Sequence, residues 1–178
     1  MRQQTPRRAA RLRRAIISGA LACRHAGEAR NLGHKDGDLD LVRELLQAMH
    51  ENAADFTLTF RRLRAAAADE TADAEASGLF ANPLAYDRWA AKWRSRLVAD
   101  GREPNARATA MRAVNPAFIP RNHRVEQALE AAIEDGDFSP FAELLTILSR
   151  PYEDQPAFAE YANPPQTGER VFQTFCGT

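Results

Sequence analysis

PLAYDRWAAKWRSRL, residues 83–97, sets the fold class of this chain. Pro83 suits the first position of a helix, where its missing N–H leaves nothing unbonded. Beyond it Tyr86, Trp89, Trp93 and Leu97 recur at three- and four-residue steps, which places them along one face of an α-helix. Such an aromatic stripe reads as core rather than as a cofactor box.

The same period continues in both directions. Upstream, Leu41, Val42, Leu45, Leu46 and Met49 form the stripe of a helix whose first turn carries Asp38 and Asp40. Asp55 is placed to cap a second helix striped by Phe56, Phe60 and Leu63. Residues 65–77 are Ala, Asp and Glu with little bulk and Gly78 follows, a composition open to a continued helix or a solvated connection; a mobile joint is expected. Downstream, Gly101 and Pro104 interrupt, residues 106–114 form a short helix containing Met111, and Asn115 and Pro116 stop it. NPAFIPRN, residues 115–122, is a fixed connection between two prolines, with Asn122 expected to cap the helix that follows.

Val125, Leu129 and Ile133 stripe that helix, Gly136 ends it, and Phe141, Leu144, Leu145 and Leu148 stripe its partner in a helical hairpin. Four prolines between residues 151 and 166 make that stretch an irregular strap. Nothing alternates with period two, so no sheet is expected. The expectation is an all-α chain: a basic arm at residues 1–30, a helical domain at 31–150, and a strap with a C-terminal cysteine tail at 151–178.

Twenty-four basic residues balance twenty-four acids, which removes the general electrostatic case for a nucleic-acid partner. The balance is uneven, because residues 1–30 hold eight arginines against Glu28 alone. No apolar run approaches the roughly 20 residues a membrane span needs. The arm reads as solvated, with a short presequence as the other reading. Two distant cysteines, Cys23 and Cys176, make no disulfide framework, so a reducing cytoplasm is the expected location.

Neither Walker nor dinucleotide-type glycine spacing occurs, and the protein-kinase motif set is absent. His25, His34, His50 and His123 lack ligand spacing. The carboxylate pairs Asp135 with Asp137 and Glu153 with Asp154 read as solvated turn residues. No catalytic, cofactor-binding or metal-ligating residue is therefore assigned. The exception is the thiol of Cys176, three residues from the end beside Gly177, where mobility and exposure favour thiol exchange; an incidental cysteine is the other reading.

From residue 31 onward, NLG (31–33), DFTLTFRRL (55–63), RWAAKWRSRL (88–97), MRAVNPAFIPRNHRVEQALEAAIEDGDFSPF (111–141), LSRPYEDQPAFAEY (148–161) and TFCGT (174–178) resemble the C-terminal region of selenoprotein O-type protein adenylyltransferases. The resemblance implies an atypical protein-kinase-like fold that binds ATP with magnesium and transfers AMP to protein Ser, Thr or Tyr hydroxyls. The family's catalytic residues belong upstream of Asn31, so none is carried over. Cys176 matches the family's C-terminal Cys or selenocysteine, implicated in redox control through a disulfide to the kinase-like lobe.

Residues 1–30 depart from the family pattern, as expected of a chain begun partway through such a protein. The implied role is that of a helical portion, silent alone, whose stripes around Trp89, Trp93 and Leu145 cover the missing kinase-like lobe. Self-association through those faces is expected of the isolated chain. Two rivals stand beside it: a helical module binding a separately encoded lobe or other partner, and a small thiol-redox protein pairing Cys176 with Cys23.

Overall fold

The computed structural model describes residues 38–169, and within them the regular elements are helical, with no strand. The chain divides into two compact units, Met1–Asn115 and Pro116–Thr178, each with its own apolar cluster.

In the first unit, α1 (Asp38–Glu51) buries Leu41, Val42, Leu45 and Met49, the stripe expected from spacing. A sharp turn follows. Ala53 takes the left-handed conformation, φ 50°, where glycine is the usual residue. Asn52 makes this turn rigid: its Nδ2 donates to the Ala48 carbonyl at 2.8 Å, and its Oδ1 accepts from the Asn82 N–H at 2.9 Å. The Asp55 carboxylate then caps α2 (Phe56–Ala68) through the Leu58 N–H at 2.8 Å. Thr59, Phe60, Leu63, Ala66 and Ala67 form the buried face of α2.

The joint expected at 65–77 is ordered helix instead. After α2 come a 3-10 turn (Glu70–Ala72) and a short α3 (Asp73–Ser77). Two effects hold this region. Ala66, Ala67 and Ala76 are buried, their small side chains permitting close helix approach. Asp73 is also tied down: the buried Tyr86 donates its hydroxyl to Asp73 Oδ1 at 2.6 Å, and Arg94 donates to Oδ2 at 2.6 and 3.2 Å. Burial and the neighbouring carboxylate push the Tyr86 hydroxyl strongly up from its ordinary value, so it stays a donor.

Asn82 and Pro83 start α4 (Pro83–Asp100), which buries Tyr86, Trp89, Ala90, Trp93 and Leu97. Trp89 and Trp93 stack with centroids 5.2 Å apart, and Trp89 Nε1 donates to the Leu41 carbonyl at 2.9 Å. Gly101, φ 68°, closes α4 in the left-handed conformation. Glu103 then caps α5 (Pro104–Arg112) by accepting from the Asn105 and Ala106 N–H groups, which hold its carboxyl below the usual range. Arg107 of α5 is buried and carries its guanidinium to the carbonyls of Ala67, Leu97 and Arg102, at 3.1, 3.2 and 2.7 Å. It thus satisfies carbonyls at the C-terminal ends of both α2 and α4, groups that helix geometry leaves unbonded.

In the second unit, α6 (Asn122–Glu130) runs into a π-turn (Ala131–Asp135) closed by Gly136, φ 65°, whose N–H reaches the Ala131 carbonyl. After three residues α7 (Ser139–Leu148) packs back against α6. Asn122 does not cap α6. The capping position is Arg121, and no side-chain bond is made there. The strap following Pro151 winds into 3-10 turns at Pro156–Ala162 and Thr167–Glu169.

Candidate functional site

The segment NPAFIPRNHR brings its side chains together around the strap. The N–H groups of Ala117 and Phe118 both donate to the Pro151 carbonyl, at 2.7 and 3.1 Å, leaving Ala117 and Phe118 to form a small core with Ile147. Arg121, itself buried, donates to the Ala162 carbonyl at 2.6 Å. Arg124 donates to the Glu160 carbonyl at 3.2 Å, lies 3.5 Å from the Glu160 carboxylate, and sits over the Tyr161 ring at 5.0 Å. Tyr161 in turn donates to Glu143 of α7, and its hydroxyl is pushed up to about 12, chiefly by burial and then by that carboxylate.

At the far end of the strap, Glu169 accepts from Gln127 Nε2 at 3.3 Å and from the Gln166 N–H at 2.9 Å. The bond from Gln166 is the main cause that lowers its carboxyl. His123 is buried in the same segment. Desolvation pulls its imidazole below the ordinary value, with Glu169 opposing the shift. These residues form a clasp between helix and strap. Two guanidinium groups spent on carbonyls can orient a chain but supply no proton transfer or nucleophile.

The hairpin carries the other notable feature. Leu129, Ile133, Phe138, Phe141 and Leu145 are 43–81% exposed, although spacing places four of them on core stripes. Of the expected α7 stripe, Leu144 is buried and Leu148 partly so, while Phe141 and Leu145 face solvent. Trp89 and Trp93, expected to cover a missing lobe, are only 3% and 1% exposed and close the first unit's own core. The expectation fails there because α1 supplies the partner face, whereas Leu145 is exposed.

Cys176 and Cys23, with His25 and His34, lie outside the described residues. His50 is exposed beside a groove lined by Leu46, Met49, Ala53, Ala54 and Phe56. Asp137 is exposed and accepts from the Ser139 N–H at 2.8 Å, and Asp135, Glu153 and Asp154 are exposed as well. Among the described residues no three His, Cys, Asp or Glu side chains converge as a metal site requires. The groove's lining, one imidazole among apolar groups, does not fit a magnesium-bound triphosphate. No helix of the described residues is long and apolar enough to cross a membrane.

The sequence model of one protein family, described as "Protein adenylyltransferase SelO", matches residues 20–149. Curated proteins named "Protein nucleotidyltransferase YdiU" are similar over most of the chain. One from Rhizobium johnstonii is 58% identical over 146 residues, covering 82% of this chain and 29% of that protein. One from Rhizobium meliloti is 59% identical over 147 residues, 83% of this chain and 30% of its own length. One from Rhodopseudomonas palustris is 54% identical over 157 residues, 86% of this chain and 32% of its own. The chain thus spans just under a third of the length of these relatives.

Proposed function

The chain belongs to the SelO protein adenylyltransferase family, and from that premise we propose that it acts as the helical, non-catalytic C-terminal portion of an enzyme transferring AMP from ATP to protein Ser, Thr or Tyr hydroxyls. The observation that carries the reading is the pairing of 58% identity over four-fifths of the chain with coverage of only 29% of the relative. The chemistry of such a transfer belongs to an ATP- and magnesium-binding, kinase-like lobe. The groove beside His50 does not suit either group, and no step is routed through it.

The chain's own contribution is structural. The first unit is a self-contained helical support. The second presents a partly apolar hairpin, braced by the Arg121–Arg124 clasp, toward a partner lobe encoded with it or separately. Cys176 is proposed as the redox-responsive group, its thiol pairing with a cysteine of that lobe. A stand-alone interaction module is the alternative, favoured by the exposed hairpin residues.

The test is AMP transfer with labelled ATP, magnesium and a generic protein acceptor. The chain alone is expected to be silent. Grafting it in place of the corresponding C-terminal portion of the Rhizobium johnstonii relative is expected to preserve that protein's transfer activity. Transfer by the chain alone, or an inactive graft that is folded, overturns the reading.

A further inference from the structure

The second unit is strongly acidic: residues 116–178 hold ten Asp and Glu against four arginines and His123. The two signs are also separated along the hairpin. Arg121, His123 and Arg124 stand at the start of α6 and Arg150 just past the end of α7, all at the end closed by the strap. There Arg121 and Arg124 reach strap carbonyls, His123 is buried, and Arg150 lies 3.4 Å from Glu153. Arg170 lies outside the described residues. Residues 129–145, the half around the turn, hold Glu130, Glu134, Asp135, Asp137 and Glu143, all exposed, and no cation.

Distance keeps the cations of the base from neutralising these acids. Arg124 and Arg150 each stand thirteen residues from Asp137, about 15–20 Å along a helix that rises about 1.5 Å per residue. Screening at physiological salt acts within about 8 Å.

The same half of the hairpin carries the exposed apolar bulk. Leu129 and Leu145 stand eight residues on either side of Asp137, Ile133 and Phe141 four, and Phe138 is next to it. A three-residue connection between packed helices makes α6 and α7 antiparallel, so the members of each pair lie at matching levels. Exposed leucine, isoleucine and phenylalanine are thus interleaved with carboxylates.

That combination selects among occupants. Nucleic acid and anionic membrane would be repelled by the acids. A second copy would set five acids against five, and a neutral apolar partner would leave the carboxylates without counter-charge. A helical segment with an apolar face flanked by Lys and Arg meets both features.

We propose that the turn half of the α6–α7 hairpin, residues 129–145, is a docking surface for a basic amphipathic helix of a partner protein. The partner-facing role of the hairpin rests on the reading above, whereas its affinity for cationic helices is independent of any AMP transfer.

The methyl signals of the full chain are followed while a synthetic leucine–lysine peptide, LKKLLKLLKKLLKL, is added, with LEELLELLEELLEL as the control. The lysine peptide is expected to shift Leu129, Ile133 and Leu145 and to bind about tenfold tighter than the glutamate peptide. E130K/E134K/D135K should reverse that order, a reversal that general damage to the fold would not produce. Asp137 and Glu143 are left in place because they accept from the Ser139 N–H and from Tyr161. I133S/F141S, at two exposed side chains, should weaken the lysine peptide about tenfold with the circular dichroism spectrum unchanged.

Equal affinity for the two peptides overturns the proposal. Shifts confined to residues outside the hairpin, or binding that ignores I133S/F141S, do so as well. Hairpin shifts that grow with chain concentration before any peptide is added assign the face to a second copy and also overturn it.

Discussion

The two units are built from similar amphipathic helices, yet they treat their large side chains differently. In the first unit Tyr86, Trp93, Leu45 and Leu63 are at most 1% exposed, and each helix has another helix across from its stripe. In the second, Ile133 is 81% exposed and Phe138 65%, because two helices and a strap offer too few faces to cover every stripe. Polar groups take over part of the work there. Arg121 and Arg124 bind strap carbonyls, as Arg107 binds helix-end carbonyls in the first unit. A three-dimensional core tolerates no loss of bulk, whereas a clasp of guanidinium and carbonyl groups depends on donors meeting acceptors at hydrogen-bond distance.

The largest expected effect sharpens this contrast from the first unit. Trp93→Ala should cost about 3–5 kcal/mol in urea unfolding followed by circular dichroism, since a fully enclosed indole leaves a cavity. A loss below about 1 kcal/mol would mean that α4 is not the centre of that core. Arg107→Ala comes next, at about 2 kcal/mol, because carbonyls at the ends of α2 and α4 lose their donor. Arg107→Lys should recover only part of it, a single ammonium being unable to span three carbonyls.

The pH response should belong to the second unit. His123 has its imidazole pulled below the ordinary value by burial, so the folded state favours the neutral form. Stability from this group is present above the unfolded value of about 6.5 and is lost as pH falls through the lower folded value. Amide hydrogen exchange between pH 7 and 5 should show α6 and the strap opening more readily, with α2 and α4 little changed after correction for intrinsic rates. His123→Asn should flatten the difference. Equal weakening of both units would break the comparison.

The smallest effect is expected on the hairpin surface. Leu145→Ser, at a side chain 55% exposed, should change stability by no more than about 0.5 kcal/mol, against several for Ile147→Ala two residues on. A large loss at Leu145 would show that its face is already covered within the folded chain.

The helices of the first unit were legible residue by residue. Asp55, Pro83 and Gly101 mark ends through short-range chemistry that a linear reading can follow, and the stripes of α1, α2 and α4 have one period and one wet side. The segment 65–77 was misread because its alanines look featureless until Ala66, Ala67 and Ala76 are seen at close helix contacts, with Asp73 held by Tyr86 and Arg94. Asn122 was misread as a cap for a related reason, since its capping potential is local while the register of α6 is set by the clasp on either side. The clasp left no signal in spacing: Arg121 and Arg124 find carbonyls about forty residues later in the chain.

By itself, then, the sequence determined the helical class, most of the helix ends, the segregation of charge and the family resemblance, all properties of neighbours along the chain or of residue identities. Tertiary structure decided which of two equally apolar stripes is core and which is surface, placing Trp93 inside and Leu145 outside. Burial depends on whether another element lies opposite, and periodicity, which reports only that a helix has an apolar side, carries no information about what faces it.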